Sequence, residues 1–252
     1  MSPAQPIVLA IRNDTTSPAL LVGEWLEEAG IAIRTICADE GEHVPDSLPR
    51  GVHGILALGG SIGAADDAVA PWLAAERALL ADAVGAGVPV LGLCLGGQLL
   101  ASAMGGCVEL GPTQEIGLSL VRRTVDGLND PVASQAEPTR GPDIPAAQWH
   151  QDFVTELPEG AVLLFTNEVC RVQGFRIGEA GYGLQMHPEV DGATFVSWAE
   201  VPDEALRRSG VDARHAAEAV AAAEPELITA WRPMTRAWAD LVWARFGSVV
   251  PA

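Results

Sequence analysis

The stretch VPVLGLCLGGQLLASAM, residues 88–104, decides the fold class. Its first six residues, 88–93, form a short and continuous apolar run, which is typical of a strand buried on both faces of a sheet. Cys94 follows at once between glycines, and the residues after it, 98–104, have the composition of a helix. A strand that turns sharply into a helix predicts a parallel sheet covered by helices, which is an α/β fold.

The sequence before this stretch has the same alternation. Continuous apolar runs at residues 7–11, 31–37 and 52–58 predict three further buried strands. The spacing of apolar residues predicts helices at 18–29 and 71–86. We therefore expect a flavodoxin-like three-layer sandwich, in which a mostly parallel central sheet lies between two layers of helices.

The second half of the chain has a different pattern. Shorter strand-like runs, separated by turns, predict an antiparallel extension of the sheet. These runs are residues 119–122, 162–166, 171–177 and 181–186. Two helices are predicted after them, at 212–223 and 225–246. We expect one domain over residues 1–200, with a C-terminal helical extension over 201–252 packed on it.

The composition excludes several classes of function. The 252 residues include 33 acidic and 15 basic side chains, a formal net charge of −18, which repels nucleic acid and anionic membrane surfaces. Every basic residue is Arg. Without Lys, neither a Schiff base to pyridoxal phosphate nor a Walker A loop can form.

The cysteine pattern and the start of the chain also set expectations. The four cysteines have no metal-ligand spacing, so we expect no metal, no cofactor and a reduced, cytoplasmic protein. The N-terminus lacks the basic region of a signal peptide. Residues 83–108 carry no charge, but proline and glycines interrupt them, so we expect no membrane span.

The most specific chemical feature is GLCLG at residues 92–96, which has the form of a nucleophile elbow with cysteine in place of serine. Such a turn holds the nucleophile in strained backbone. The N–H groups and the positive dipole end of the following helix favour a thiolate at Cys94 and can stabilise an oxyanion. The alternative is a buried cysteine in a glycine-rich turn, but strand, elbow and helix together favour a nucleophile.

A cysteine nucleophile needs a base and a group that orients the base. His187 and Glu189 follow the predicted strand at 181–186, and residues i and i+2 of an extended segment project to the same side. Glu189 can therefore orient His187 towards the elbow. The rival base is His150, in the segment WHQD at 149–152. The remaining histidines are predicted to be surface residues: His43, His53 and His215.

A second glycine turn, GGS at residues 59–61, ends the predicted strand at 52–58. Ligands of open α/β sheets bind at this carboxyl edge, so the turn either completes an oxyanion hole or simply ends the strand. The aspartate pair at 66–67 has no His or Cys beside it and indicates a solvated turn rather than a metal site. The other cysteines are predicted to be packing residues: Cys37, Cys107 and Cys170.

Together these motifs resemble the class I (triad) glutamine amidotransferase family, and in particular stand-alone members similar to the glutaminase domain of GMP synthase. The resemblance is carried by GLCLGGQ at 92–98 and by HPE at 187–189. Further agreements are GG at 59–60, PWL at 71–73, EIG at 115–117, WHQD at 149–152, QGFR at 173–176 and GLQM at 183–186. The agreement runs in order from about residue 7 to residue 189.

The resemblance implies a role for each residue of the triad. Cys94 would attack the carbon of a γ-glutamyl amide and form a γ-glutamyl thioester. His187 would move the proton, and Glu189 would hold His187. Water would then release glutamate.

The resemblance also implies a set of oxyanion and substrate-binding residues. The backbone N–H groups of Gly60 and Leu95 would form the oxyanion hole, with Gly59 beside them. Gln98 and His150 would help to hold the glutamyl group. In the family, proline often stands at the position of Ser61.

Several alternatives stay open from the sequence. The chain shows no ATP site, so either a separate synthetase partner receives ammonia from glutamine, or the chain hydrolyses a γ-glutamyl small molecule on its own. A relation to heat-shock-type peptidases is disfavoured, since a histidine commonly follows their cysteine and Leu95 stands here. A non-catalytic binding protein of the same fold is a third class. The C-terminal helix offers a face for a homodimer.

Overall fold

The structure, a computed structural model, describes residues 5–201 and 210–249. In this part of the chain, nine strands form one sheet. They are β1 (Ile7–Arg12), β2 (Ala32–Cys37), β3 (Gly54–Ala57), β4 (Val90–Leu93), β5 (Cys107–Arg123), β6 (Asp143–Glu156), β7 (Val162–Thr166), β8 (Gly174–Ile177) and β9 (Gly181–Leu184). The α-helices are α1 (Leu20–Glu28), α2 (Trp72–Gly85), α3 (Leu95–Ala103), α4 (Val125–Asn129), α5 (Gly192–Glu200) and α6 (Ala213–Val249).

The sheet has a parallel half and an antiparallel half. Its strand order is β2-β1-β3-β4-β9-β8-β7-β5-β6. The first five strands in that order are parallel, and every later pairing is antiparallel. The predicted parallel sheet with an antiparallel extension is therefore confirmed.

Two hydrophobic cores lie on opposite faces of the sheet. Successive side chains of a strand point to opposite faces, so each buried strand contributes to both cores. In β1, Val8 and Ala10 pack with residues of α1, α5 and α6, whereas Leu9 and Ile11 pack with residues of α2 and α3. This arrangement is the expected three-layer α/β sandwich, and it explains why the inner strands β3 and β4 are apolar throughout, whereas the edge strand β2 carries the exposed Arg34 and Thr35.

The antiparallel half was only partly predicted. The run at 119–122 is the last part of β5, and β6, which carries the WHQD segment, was not predicted as a strand. The first part of β5 contains glycine, proline and glutamate, residues that disfavour strands, and its pairing with β6 shifts register between Leu110 and Glu115. The hydrogen bonds of that irregular segment come from β6, so the short-range sequence pattern alone does not reveal that the segment is a strand.

The prediction of two C-terminal helices is wrong. One helix, α6, continues through Pro225 and Pro233. A proline inside a helix costs roughly 3 kcal/mol, but burial of each large apolar side chain contributes roughly 2 kcal/mol. A buried apolar stripe runs along α6 on both sides of Pro225, so packing on the sheet offsets the prolines. That stripe includes Ala217, Val220, Leu227, Trp231, Met234 and Trp238.

The predicted boundary at residue 201 adjoins residues 202–209, which lie outside the described residues. The division into a domain and an extension therefore stays a prediction. Across the described ranges 5–201 and 210–249, no helix is both long and apolar enough to cross a bilayer.

Predictions for some isolated residues are wrong as well. His53, expected at the surface, is buried: its Nδ1 accepts a hydrogen bond from the backbone N–H of Ile7 at 3.1 Å, and its ring packs edge-on against Phe246. His43 and His215 are exposed, as expected. Of the cysteines expected to pack in the core, Cys170 is buried, Cys37 is half-buried and Cys107 is exposed.

One acidic side chain lies inside the core between α2 and the end of β1. Glu76 is completely buried, and the carboxamide Nδ2 of Asn13 donates to its Oε1 at 3.3 Å. Burial raises the pKa of Glu76 to about 8, although the Asn13 hydrogen bond and the charge of Arg77 act to lower it. The folded protein therefore holds this proton much more tightly than an exposed carboxyl group would.

Glu76→Gln should change how stability depends on pH. In wild type, the contribution of Glu76 to the free energy of unfolding should fall as pH rises from about 4.5 to about 8, by up to about 1.4 kcal/mol per pH unit, because only the folded state still binds the proton in this range. The variant has no such proton, so it should gain stability relative to wild type across this window. Urea unfolding near both pH limits measures the difference.

The matched control for this prediction is Glu24→Gln, which removes a negative charge from an exposed position of α1. If the stability difference between wild type and Glu76→Gln were the same at both pH limits, Glu76 would not be a proton-holding group in the folded state.

Candidate active site

A cavity of about 280 Å³ lies at the carboxyl edge of the parallel strands. The segments that follow β1, β3, β4 and β9 all reach it, and β6 forms another wall. This is the edge at which open α/β sheets bind ligands. Its lining includes Asp14, Gly60, Cys94, Gln98, His150 and His187.

Cys94 forms the sharp turn between β4 and α3. Its backbone has φ +49° and ψ −108°, a strained conformation for a residue with a side chain. Its N–H donates to the carbonyl of Leu184 at 2.8 Å. The helix begins at Leu95, earlier than the predicted residue 98, so its N-terminus lies directly against the cysteine.

Gly96 makes this turn possible. A Cβ at residue 96 would lie 2.1 Å from the carbonyl oxygen of Ala57, a distance that no side chain can adopt. Glycine thus lets the first turn of α3 pack directly against the end of β3. The elbow is held by backbone contacts with both neighbouring strands, β3 and β9.

His187 and Glu189 lie together in a turn after β9. Their contact joins Nδ1 of His187 to Oε1 of Glu189 at 2.8 Å, and both side chains are buried. The backbone fixes the turn, since the N–H of His187 donates to the carbonyl of Ala147 at 2.9 Å. The ring of Trp198, on α5, packs edge-on against the imidazole with centroids 4.9 Å apart. The imidazole therefore has one well-defined orientation.

The pKa of His187 is raised well above its ordinary value. Burial acts to lower the pKa, but the negative charges of Glu189 and of a thiolate at Cys94, together with hydrogen bonds to both groups, outweigh it. Nδ1 faces Glu189, which leaves Nε2 for the cysteine. An imidazolium beside a thiolate is the form in which a cysteine is reactive.

One glutamine side chain and one backbone carbonyl lie near the sulfur. Nε2 of Gln185 lies 3.8 Å from Sγ of Cys94, and the carbonyl oxygen of Trp149 lies 3.9 Å from it. Gln98, predicted to contact substrate, lines the cavity, and its Nε2 donates to the carbonyl of Asp152 at 3.0 Å. Gln98 thereby ties α3 to β6 across the cavity.

His150 lies on another wall, where it belongs to a second imidazole–carboxylate pair. Its Nε2 is 3.2 Å from Oε2 of Glu115, and its Nδ1 is 3.3 Å from the carbonyl of Asp152. Glu115 also accepts hydrogen bonds at 2.6 Å from both Asn167 and Gln173. Both imidazoles line the cavity; in the described part of the chain, His187 is paired with Glu189, whereas His150 is held by this buried network.

The second glycine turn approaches the elbow closely. Gly60 lines the cavity, and a Cβ placed on it would lie 3.0 Å from Cδ2 of Leu95. Gly59 lies behind the lining, where an added Cβ would be 3.4 Å from Cε1 of His187. The structure thus brings the two residues of the expected oxyanion hole, Gly60 and Leu95, side by side.

Sequence analysis missed several residues of this site. Asn13 and Asp14 follow β1 at the carboxyl edge of the sheet. Their position directly after a buried strand is the signal that could have placed them at the site. Ser61, where the family often has proline, donates its hydroxyl to Oδ2 of Asp14 at 2.6 Å. Trp198 belongs to α5, a helix that was not predicted, so nothing in the sequence connected it with His187.

The aspartate pair at 66–67 has structural partners. Asp66 accepts from the backbone N–H of Gly63 at 2.7 Å, and Asp67 pairs with Arg77 at 2.5 Å. Over residues 5–201 and 210–249, no group of three His, Cys, Asp or Glu is arranged to hold a metal ion.

A parallel α/β sheet with a strained cysteine at a strand–helix elbow, and a His–Glu pair beside it, defines the class of fold and site to which triad amidotransferases belong. Residues 30–197 match the model of the glutamine amidotransferase class-I family. Because the match covers more than half of the chain, the protein belongs to this family. The family predicted from the motifs is therefore confirmed.

Relatives of known name are glutamine-hydrolyzing GMP synthases. That of Alkalilimnicola ehrlichii is 40% identical over 107 residues, which cover 42% of this chain and 20% of that protein. That of Bordetella parapertussis is 29% identical over 177 residues, which cover 68% of this chain and 31% of that protein. The chain thus spans less than a third of the length of these relatives.

Solved structures of glutamine amidotransferases match nearly the whole chain. One from Thermotoga maritima has a TM-score of 0.80 and 28% identity, and the match covers 94% of this chain and 99% of that one. One from Methylobacillus flagellatus has a TM-score of 0.70 and 28% identity, covering 98% of this chain and 95% of that one.

Glu189→Gln should lower the pKa of His187, because it removes a negative charge that favours the imidazolium while it preserves the shape of the side chain. Cys94→Ala should lower the same pKa by removing the other negative partner. NMR titration of histidine-labelled protein measures both shifts, with the exposed His215 as a reference in the same spectra. A titration of His187 unaltered in both variants would contradict the coupling of these three groups.

Proposed function

We propose that this protein cleaves a γ-glutamyl amide bond with Cys94 as nucleophile. The observation that carries the proposal is the buried His187–Glu189 pair next to a cysteine in strained backbone, at the ligand-binding edge of the sheet. Membership of the glutamine amidotransferase family supports it. The relatives named as glutamine-hydrolyzing GMP synthases make glutamine the first substrate to test.

In the proposed first half-reaction, the thiolate of Cys94 attacks the γ-carbonyl carbon and a tetrahedral oxyanion forms. The backbone N–H groups of Gly60 and Leu95 stabilise that oxyanion. The imidazolium of His187 gives its proton to the leaving nitrogen, the C–N bond breaks, and ammonia or an amine departs. A γ-glutamyl thioester remains on Cys94.

In the second half-reaction, water attacks the thioester while neutral His187 accepts a proton from it. The C–S bond breaks, glutamate leaves, and the thiolate–imidazolium pair is restored. Glu189 holds the orientation of His187 throughout and stabilises its positive charge. Gln98 and His150, which both line the cavity, are proposed to hold the glutamyl group.

The leaving group decides between two versions of this function. In one, glutamine is the substrate and a separate synthetase uses the ammonia, as the similarity to GMP synthases suggests. In the other, the chain hydrolyses a γ-glutamyl conjugate and needs no partner. We further propose a cytoplasmic location, where the four unpaired cysteines stay reduced. A homodimer through α6 stays a prediction.

Cys94→Ala should lower glutamate release by at least about a thousandfold, since the nucleophile of a covalent mechanism is lost. The assay follows glutamate released by the purified chain from glutamine and from a panel of γ-glutamyl amides and peptides. Cys107→Ala is the matched control, because Cys107 is exposed, is the first residue of β5 and does not line the cavity. Glutamate release by Cys94→Ala at the wild-type rate would contradict the proposal.

The substrate panel separates the two versions. Rapid turnover of a γ-glutamyl conjugate, with little turnover of glutamine, identifies a hydrolase of conjugated amines. If the chain turns over only glutamine, and turns it over slowly, it is an amidotransferase subunit whose partner enzyme accelerates that turnover.

Cys94 should also react with iodoacetamide faster than Cys107 at neutral pH. The charge of Glu156 raises the pKa of the Cys107 thiol, whereas Cys94 lies at the N-terminus of α3 and is the nucleophile of the proposed triad. Peptide mass spectrometry after timed alkylation measures both rates in one sample. His187→Asn should slow alkylation of Cys94 and leave that of Cys107 unchanged; equal rates at the two cysteines in wild type would contradict the proposed pair.

A further inference from the structure

Two consecutive side chains after β1 hold the second glycine turn at both of its ends. Nδ2 of Asn13 donates to the carbonyl of Leu58 at 3.2 Å. Oδ2 of Asp14 accepts from the N–H of Ser61 at 3.3 Å and from its hydroxyl at 2.6 Å. The segment that contains Gly59 and Gly60 is therefore bound at either side to the end of β1.

The carboxamide of Asn13 is itself oriented by α2. The indole N–H of Trp72 donates to its Oδ1 at 2.8 Å, and its Nδ2 donates to Oε1 of Glu76 as well as to Leu58. Asn13 is only 4% exposed. The oxygen and both N–H groups of the Asn13 carboxamide are thus hydrogen-bonded. If the amide were rotated by half a turn, its N–H groups would face the indole N–H and its oxygen would face two other oxygens, so one orientation is fixed.

Asn13 also packs directly on Gly60. A Cβ added to Gly60 would lie 3.1 Å from Cβ of Asn13 and 3.0 Å from Cδ2 of Leu95. A side chain at position 60 would therefore meet both the end of β1 and the first residue of α3. Gly60 thus lies against Asn13 and against the residue that follows Cys94.

We propose that Asn13, oriented by Trp72 and Glu76, is a positioning residue that fixes the backbone N–H of Gly60 opposite Cys94. The proposal rests on the proposed function, in which this N–H stabilises the oxyanion. Asn13 acts through the backbone of the turn and not by contact with the substrate. An oxyanion donor has to lie 2.7–3.1 Å from the developing charge, so a displacement of about 1 Å removes much of its effect.

Asn13→Asp tests the proposal with almost no change in shape. It replaces both N–H donors by an oxygen that faces the carbonyl of Leu58. We expect kcat for γ-glutamyl hydrolysis to fall on the order of a hundredfold and KM to change by less than about threefold, since the interaction strengthens in the transition state. Asn129→Asp, at an exposed position of α4, is the matched control and should retain wild-type kinetics.

Trp72→Phe removes the indole N–H that orients Asn13 and keeps an aromatic ring, although a smaller one, and it keeps the proposal testable if Asn13→Asp does not fold. We expect a smaller loss of kcat in the same direction, of about three- to tenfold, again with little change in KM. Thermal unfolding of each variant shows whether the protein is folded. A kcat within about twofold of wild type in a folded Asn13→Asp or Trp72→Phe protein would overturn the proposal.

Two further measurements separate this inference from the proposed function. Alkylation of Cys94 by iodoacetamide needs no oxyanion hole, so Asn13→Asp should alkylate at the wild-type rate; a parallel loss would mean that Asn13 acts on the cysteine or on the whole fold. Crystal structures of wild type and variant should show the turn at 59–61 displaced by about 1 Å. If wild type released no glutamate from any γ-glutamyl substrate, the proposed function would fail, and an unmoved turn would separately refute the role of Asn13.

Discussion

The close contact between Gly96 and the carbonyl of Ala57 is the constraint on which the rest of the site depends. It lets α3 begin immediately after Cys94 and forces that residue into strained backbone. Strain of this kind costs on the order of 1–3 kcal/mol and persists only where the surrounding structure determines it. Here β3 and β4 contribute side chains to the cores on both faces of the sheet, and α3 packs in one of them.

The polar groups of the site are buried, and burial makes their pairing necessary. An unpaired charge in the interior is costly, so each imidazole has a carboxylate: His187 has Glu189, and His150 has Glu115. The first pair lies in the turn after β9, where His187 lines the cavity with Cys94, whereas the second ties β5 to β6 through a network of amides. We thus propose that the first pair takes part in the chemistry and that the second holds the wall of the cavity. Glu76 has only an amide partner, and burial raises its pKa to about 8 instead.

Local signals were sufficient for the parts of the fold in which one short segment decides its own structure. Each of these signals spans only a few residues: the continuous apolar runs of the strands, the cysteine elbow and the His-x-Glu spacing. Where structure depends on distant contacts, the same reasoning failed: β6 pairs with an irregular strand, α6 continues through two prolines, and His53 is covered by Phe246. In each of these cases, burial against a remote element outweighs the local preference.

The sequence by itself therefore determined the α/β class, the parallel sheet, the family, and the three residues proposed to carry the chemistry. Only the tertiary structure decided that His150 pairs with Glu115, and how the glycine turn after β3 is held by Asn13 and Asp14. The physical reason is that periodicity reports which face of an element is apolar, whereas the distance between side chains on β1, β4 and β9 exists only once the strands have paired. The edge that carries the cavity is assembled from the ends of strands that lie far apart in the chain.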